Sequence, residues 1–465
     1  MHDRGTALTF DATRSPATWP IWTVGVGAGV LLGVLIAVEP RWTVLAAAGG
    51  IVGALVLWKP YLGFLLVVAS IPLDVAGTIS VTGSFAAVSV TKAIAAITVL
   101  SAALHALLRR NAPDVSRWVQ PQTLLAALFL AATCVAATVH PGPDSAAEIG
   151  RLAVIVVFMV VTVHFVDRPR RLVHVALVLA ATATLVAAHS LVQRVLGGAT
   201  LSEEWAAQAG AVLDVGEEAI GEMLRTTGTF SHPAWLGLFI SLCVPLTLYA
   251  AWTAATRRVL LLALAALLIQ TLGVLSTYSR MSYLGTALAV ALFAWGRRLG
   301  PLLVMLAALA AAVSVPALPE ELRARVASIA KYQESSSSLT RIGQQLAGWN
   351  MIRANPLSGI GPGNFEHQAL EYGRQVPETY RVEPIGAHNM YIEVAAELGV
   401  PGLLVVLALL AVCWRDARRL RREARASGDV RAALLWECVG IALLVFAFSA
   451  LFVHAQYRKE WWLLA

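Results

Sequence analysis

The sequence carries little charge for its length. Only 14% of its 465 residues are charged, whereas 58% are hydrophobic. A water-soluble domain needs far more polar surface, so this composition excludes a soluble globular protein. The apolar residues form runs of about 17–25 residues, each long enough to cross a bilayer as a helix. They lack the two-residue alternation of a membrane barrel. We therefore predict an all-α polytopic membrane protein.

Several features of soluble or cofactor-dependent enzymes are also missing. The four cysteines lie in or beside apolar runs without metal-ligand or redox spacing, which predicts small core residues. The sequence has no Gly-rich phosphate loop, no dinucleotide fingerprint and no His-Glu-x-x-His helix. We therefore expect neither a metal nor a cofactor, and an enzyme of this kind would need a preactivated substrate. The net charge of +7 does not indicate nucleic acid, because the basic residues concentrate in short loops between spans.

About 12 or 13 of the apolar runs are predicted to be transmembrane helices. The polar residues 1–18 resemble a cytoplasmic tail rather than a cleavable signal. The third run is short and interrupted by Pro72, which leaves the count open between twelve and thirteen. The predicted spans are residues 19–38, 42–58, 61–74, 86–108, 122–139, 149–166, 172–196, 234–252, 259–277, 281–296, 299–316, 389–413 and 434–453.

Arginine-rich loops set the predicted orientation. If the spans alternate, these loops all fall on one side, which is therefore predicted to be cytoplasmic. Two long segments, residues 197–233 and 317–388, then lie on the outer face and separate N-terminal helices (19–196), central helices (234–316) and C-terminal helices (389–465). The loop arginines are Arg109, Arg110, Arg117, Arg168, Arg170, Arg171, Arg257, Arg258, Arg297 and Arg298, with a dense run from Arg415 to Arg431.

Four basic residues, Lys92, Arg151, Arg225 and Arg280, stand against or within the outward halves of apolar runs. A cation at membrane depth costs a few kcal/mol or more and usually pairs or faces a wet cavity. Each one alone is equally explained by a side chain that reaches the outer interface. Together they predict a cationic cavity that suits a lipid-linked phosphate or diphosphate, because arginine forks match phosphate oxygens. Arg341 joins this cavity if the long outer loop folds over it; otherwise it lies on a solvated helix face.

His388 is the candidate for proton transfer. It ends the long outer loop at the start of a predicted span, and imidazole suits acid–base chemistry near neutral pH; a purely structural histidine is the alternative. Asn389 follows it, and Glu393 and Glu397 lie four residues apart on one helical face. From the sequence, the two glutamates could have one of three roles: orienting a base, contacting sugar hydroxyls or lining a wet groove. His232 precedes a proline at another helix start, which indicates a capping residue first and a substrate contact second.

These residues resemble the O-antigen ligase family, which shares a superfamily with O-antigen and exopolysaccharide polymerases. The family signature is His, then Asn, Ser or Gln, nine residues, Gly, two residues and Gly. The chain has His388-Asn389, nine residues, Gly399, two residues and Gly402. The Pro/Gly-rich stretch 355–365 is also similar to that of the superfamily. Further similarities are Thr340-Arg341 with Trp349, Arg225 before Gly228-Thr-Phe230, and the Ser279-Arg280 turn. The resemblance extends from about Arg225 to the C-terminus.

The resemblance implies a metal-independent, inverting glycosyltransferase with a GT-C-type membrane fold. Such enzymes transfer a glycan from undecaprenyl diphosphate to an acceptor hydroxyl at the outer face of the bacterial plasma membrane. In the ligases the acceptor is a lipid A–core sugar, and in the polymerases it is another lipid-linked repeat unit. The catalytic histidine corresponds to His388 and the diphosphate-binding arginines to Arg225 and Arg280. Lys92, Arg151 and Arg341 are supporting candidates.

Two alternatives stay open from the sequence. A polymerase of surface or exopolysaccharide repeats would share the donor site and differ only in the acceptor. A flippase or transporter would bind the lipid diphosphate without cleaving it, although the cytoplasmic halves of the spans are nearly devoid of charge. Residues 458–465 are predicted to be a short interfacial helix or a re-entrant piece, and a trimmed terminus is the third alternative.

Overall fold

A computed structural model describes residues 40–73, 78–79, 88–108, 118–195, 226–295, 297 and 336–465. In these ranges eight helices are long and apolar enough to cross a membrane. The prediction of an all-α polytopic protein is therefore confirmed. The predicted spans 19–38 and 299–316 lie outside the described residues.

The helices are α1 (Pro40–Trp58), α2 (Pro60–Ser70), α3 (Val90–Leu108), α4 (Pro121–Val139), α5 (Ser145–Phe165), α6 (Pro169–Val195), α7 (Pro233–Trp252), α8 (Arg257–Ser276), α9 (Arg280–Trp295), α10 (Ser336–Ala354), α11 (Phe365–Gly373), α12 (Met390–Ala426), α13 (Val430–Ser449) and α14 (Lys459–Leu464). Two-residue strands, β1 (Thr78–Ile79) and β2 (Val88–Ser89), pair antiparallel before α3. The helix boundaries fall near the predicted ones, except at α2 and α12. Helix α2 ends before Pro72, and α12 continues past residue 413 because its charged end forms ion pairs within the helix, such as Arg419 with Glu423.

Helix α7 forms the centre of the bundle. It is apolar on every side, which is the pattern of a buried helix, and it packs against α6, α8, α9 and α13. A buried amide, Gln270 of α8, ties three of these helices together. Its Nε2 donates to the carbonyl of Ala180 in α6 at 3.1 Å and to Thr247 of α7 at 2.9 Å. Such an interhelical bond stabilises the contact because lipid offers a buried amide no other partner.

Several of the predicted cytoplasmic helix ends meet at one end of the bundle, here called the arginine end. Glu437 of α13 accepts from Arg297 after α9 and pairs with Arg421 of α12 at 3.0 Å. Gln122 at the start of α4 donates to Asp416 of α12 at 2.8 Å. The end of α9, the charged end of α12 and the starts of α4 and α13 are thus neighbours in the fold.

The opposite end, here called the loop end, collects the described parts of the predicted outer segments. Asn364 donates to the carbonyl of His140 at the end of α4. The amide of Met390, which begins α12, donates to the carbonyl of Ala450 at the end of α13 at 2.8 Å. The stretch from Asn364 to Met390 is therefore fixed at both of its ends to the ends of spans.

The final residues turn back into the bundle, which favours the re-entrant piece among the sequence alternatives. Helix α14 packs its two tryptophans inside the bundle, where Trp461 stacks on Phe446 and Trp462 on Phe129. Both indoles are 0–1% exposed, and their N–H groups donate to backbone carbonyls of the preceding turn. This packing brings the segment between α13 and α14, residues 450–458, against the loop end.

Helix α12 is broken at Gly399, the first glycine of the sequence signature. Gly399 has φ +69°, and the amides of Ile360 and Gly361 donate to the carbonyls of Ala396 and Glu397 exposed by the break. In return the amide of Val400 donates to the carbonyl of Pro356. The nine-residue spacing of the signature is thus the length of helix between the histidine and this docking point.

Replacing Gly399 with alanine tests this account. A Cβ at position 399 would meet the carbonyl oxygen of Leu357 at 2.5 Å in addition to the left-handed strain. We expect Gly399→Ala to lower the free energy of unfolding by more than about 3 kcal/mol, measured by thermal unfolding in detergent. Gly428→Ala is the matched control, because Gly428 has φ +77° but open space around its Cβ position. Equal losses in the two variants would contradict the docking account.

Candidate active site

His388 occupies a special position at the loop end. Its backbone has φ +49°, and it is one of two non-glycine residues with positive φ in the described ranges; the other, Tyr278, precedes the Arg280 turn. A non-glycine residue in this region is strained and is held there by its surroundings. The next residue, Asn389, is the N-cap of α12. Its Oδ1 accepts hydrogen bonds from the amides of Tyr391 and Ile392 and so holds the start of the helix in place.

Two arginines share a narrow cleft, and one of them acts on this histidine. Arg280, the first residue of α9, is only 7% exposed, and its guanidinium donates to Ser338 at 3.0 Å. Arg341, one turn further along α10, lines the same narrow cleft as Arg280. Arg341 also acts electrostatically on His388. The structure therefore connects Arg280 to His388 through Arg341, and we call the space between the two arginines the cationic cleft.

The surroundings keep the imidazole of His388 neutral. Burial and then the positive charge of Arg341 lower the pKa of His388 to about 2, and His454 and His232 act in the same direction. A neutral ring presents a free lone pair across the physiological pH range. It also adds no positive charge of its own to the cationic cleft.

Two more histidines surround His388. His232 is the N-cap of α7, where its Nδ1 accepts from the amide of Ala234 at 3.0 Å. His454 lies 5.9 Å from His388 between ring centroids and packs edge-on against Trp235. Only His232 was a candidate in the sequence. His454 follows the last span with no motif around it, so no sequence signal marked it.

The two glutamates of α12 hold backbone in place around the histidine. Glu393 accepts from the amide of Ala387 at 2.8 Å and from Gln456 Nε2 at 2.8 Å, so it links the chain before His388 to residues 450–458. Glu397 accepts from the amide of Phe365 at the start of α11. Among the uses left open by the sequence, the contacts of Glu393 and Glu397 are those of orienting groups.

The other predicted cations lie elsewhere. Arg151 pairs with Glu148 one turn before it, and its side chain is 63% exposed. Lys92 is exposed on α3 and lines an apolar cavity of about 270 Å³ between α2, α3 and α5, together with Lys459. The sequence predicts how far along a span a residue lies, but it does not fix which way a helix face points. Arg225 lies outside the described residues.

Arg458 was not among the candidates from the sequence, because a basic residue outside the last span disagrees with the predicted orientation. Its guanidinium stacks over Phe230 and Trp235 at 5.1 and 4.9 Å and bonds Glu460. It holds residues 450–458 against the start of α7. In the part of the chain that the structure describes, no three histidine, cysteine or acidic side chains are grouped to hold a metal ion.

The helices define a multi-pass membrane protein with a cationic, histidine-bearing site at one end. Residues 265–407 match the family model described as O-antigen ligase, a stretch of about a third of the chain that contains Arg280, Arg341 and His388. The resemblance read from the sequence is therefore confirmed over this stretch. The match supports membership of the superfamily of O-antigen ligases and polymerases, which are glycosyltransferase-like enzymes. No curated protein matches the chain.

The depressed pKa of His388 predicts a specific acid sensitivity. The folded pKa of about 2 lies below the unfolded value near 6.5, so the unfolded chain binds a proton that the folded protein does not. The contribution of the neutral His388 to the free energy of unfolding is fully present above pH 6.5. It falls as the pH drops, by about 2 kcal/mol between pH 7 and 5. We expect His388→Asn, which tolerates positive φ, to lose less stability than the parent over this range.

The measurement is thermal unfolding of purified protein at pH 7 and pH 5. His105→Asn is the control, because His105 lies near the far end of α3, away from the site, and should leave the acid sensitivity of the parent unchanged. An identical acid-induced loss in His388→Asn and the parent would show that His388 is not held neutral.

Proposed function

We propose that this protein is a glycosyltransferase of the O-antigen ligase type. It would transfer a glycan from undecaprenyl diphosphate to a hydroxyl of lipid A–core, at the periplasmic face of the bacterial inner membrane. The observation that carries the proposal is the grouping of a neutral His388 with Arg280 and Arg341 within the family-matched segment. Transfer of this kind needs a site that binds the diphosphate and a side chain that accepts a proton.

The cationic cleft is the donor site in this proposal. Arginine forks bind phosphate oxygens bidentately and stabilise the charge that develops on the diphosphate as it leaves. The cleft between Arg280 and Arg341 now has a volume of about 10 Å³, which is the space of one water molecule. Donor binding therefore includes movement of α10 away from α9. Arg225 remains a further candidate for the diphosphate.

His388 is the proton acceptor. The acceptor oxygen forms a bond to the anomeric carbon while the bond from that carbon to the diphosphate oxygen breaks, with inversion. The hydroxyl proton passes to the neutral imidazole, and undecaprenyl diphosphate leaves with the negative charge. A bound diphosphate offsets the field of Arg341, so the pKa of His388 rises when the donor is present. Its basicity is then coupled to donor binding, which limits wasteful proton transfer in the empty site.

Activity of purified variants tests these roles. We expect His388→Ala to lower the release of undecaprenyl diphosphate from a lipid-linked glycan by roughly 10²–10⁴-fold, as for loss of a general base. Arg280→Ala and Arg341→Ala should each lower kcat by roughly 10²–10³-fold through lost electrostatic stabilisation. Arg353→Ala is the matched control for Arg341, since Arg353 lies on the same helix against the exposed Trp349.

The products that the parent protein forms also distinguish a ligase from a polymerase or a transporter. Transfer only onto added lipid A–core indicates a ligase, whereas a ladder from the lipid-linked donor alone indicates a polymerase. Full activity of His388→Ala would remove the proton-acceptor role. If the parent protein moves the lipid-linked glycan across a bilayer and never cleaves it, the protein is a transporter and the transferase proposal fails.

A further inference from the structure

The apolar cavity of about 270 Å³ that Lys92 lines is built by other helices than the cationic cleft. We call it the lateral groove and define it by a floor on α2 and two walls, residues 95–99 of α3 and 153–161 of α5. Both wall helices pack against α2, which carries the buried floor residue Val67. Aliphatic side chains dominate the lining, together with the ring of Phe158.

The lateral groove opens sideways onto the lipid-facing surface of the bundle. Val99 and Val157 belong to its two walls and are 42% and 55% exposed. In a spanning helix such exposed valines contact lipid chains. An apolar cavity of this size does not hold water, so a hydrocarbon chain from the bilayer is the molecule that suits it.

Lys92 stands at the loop end of the groove. It is the third residue of α3, whose start is fixed beside the end of α2 because Thr91 Oγ1 donates to the carbonyl of Ser70 at 3.0 Å. The end of α2 in turn lies near the start of α7, since Thr229 donates to the carbonyl of Pro72. The ammonium group of Lys92 is therefore carried at the outer side of the predicted topology.

Lys459 lines the groove from the same end. It begins α14 directly after Arg458, whose guanidinium stacks over Trp235 at the start of α7. From this end the groove follows α5 from Ala153 to Val161, which is about 12 Å of helix. The two lysines thus lie at the mouth, and the apolar walls continue from the mouth toward the bilayer centre.

The two lysines decide which headgroup fits the mouth. The other polar residues in the described lining, Thr91 and Thr98, already donate to the carbonyls of Ser70 and Ile94. Lysine ammonium groups attract phosphate, and clustered lysines at a membrane surface favour anionic lipids. An aliphatic slot with a cationic mouth is therefore complementary to an acyl chain that carries an anionic phosphate headgroup.

We propose that the lateral groove binds one acyl chain of an anionic glycerophospholipid of the outer leaflet, with the headgroup phosphate at Lys92 and Lys459. The lipid-linked donor is a different molecule at a different place, because its diphosphate is assigned to the cleft of Arg280 and Arg341. The bound phospholipid joins the start of α3 to the start of α14. It thereby stabilises the packing of α14, which holds residues 450–458 at the loop end.

Photolabelling of the full-length protein in phosphatidylcholine nanodiscs tests the proposal. The probes are phosphatidylglycerol and phosphatidylethanolamine with the same diazirine-bearing acyl chain, and the labelled residues are mapped by mass spectrometry. We expect phosphatidylglycerol to label Val99 and Val157 at least tenfold more than Leu185 and Leu268. These leucines are 70% and 60% exposed on α6 and α8, outside the groove. Phosphatidylethanolamine should label the groove about tenfold less than phosphatidylglycerol.

Two kinds of variant locate the binding energy. The double variant Lys92→Gln with Lys459→Gln should lower groove labelling by phosphatidylglycerol about tenfold. Lys59→Gln is the matched control, because Lys59 stacks over Trp58 at the opposite end of α2.

A groove-filling variant, Ala153→Trp, tests the space itself, and it should lower labelling by both lipids at Val157. Leu100→Trp is its control, since Leu100 is 64% exposed on α3 outside the groove lining. If the lysine variant does not fold, the comparison of these two tryptophan variants still decides the question. Equal labelling at Val157 in both would then overturn the proposal.

Three further results would overturn it. They are equal labelling of the groove and of the control leucines, equal groove labelling by the two phospholipids, and unchanged labelling in the folded lysine variant. A diazirine-bearing undecaprenyl diphosphate that labels the groove in preference to phosphatidylglycerol would also contradict the proposal, because the groove would then hold the donor chain. The labelling needs no turnover, so a protein without transferase activity would still give a clear answer.

Discussion

The site depends on a backbone contact between a broken helix and a glycine-rich loop. Gly399 interrupts α12, and the carbonyls released there accept from the amides of Ile360 and Gly361. Because every buried backbone group needs a partner, the break and the loop require each other. The contact fixes α12 on one side and α11 on the other, and residues 388–389 are held at the start of α12. The glycine-rich loop is in this way fixed to the helix that follows His388.

Different helices contribute the basic and the acidic side chains around His388. Arg280 and Arg341 are presented by α9 and α10, whereas the carboxylates come from α5, α11 and α12. The neutral state of His388 is a consequence of the same arrangement, since burial and the charge of Arg341 both oppose protonation. In the proposed mechanism, an anion in the cleft offsets the charge of Arg341 and raises the pKa of His388, while burial, the larger cause, still opposes protonation. Donor binding and base strength are linked in this proposal.

The sequence predicted the features that follow from one-dimensional patterns. Run length and hydropathy located the described spans, and arginine placement predicted that Arg297 and the arginine run of α12 lie at the same end of the bundle. The spacing from His388 to Gly399 identified the family later matched over residues 265–407. Those signals work because membrane thickness and helical rise fix length, and because a helix break needs a glycine.

Features that depend on helix rotation were beyond the sequence. Lys92 and Arg151 face other surroundings than Arg280, because hydropathy predicts the position along a span and not the angle about a helix axis. His454 and Gln456 reach the site because α14 turns back into the bundle. That turn depends on the packing of Trp461 and Trp462 against Phe446 and Phe129, which are distant in sequence.

A structure with undecaprenyl diphosphate bound tests the central claim most directly. The account predicts that α10 moves outward and that the diphosphate lies between the guanidinium groups of Arg280 and Arg341, within contact of both, with the imidazole of His388 facing the position of the anomeric carbon. A diphosphate held at Lys92 and Lys459, with Arg280 still bonded to Ser338 and the cleft closed, would contradict it.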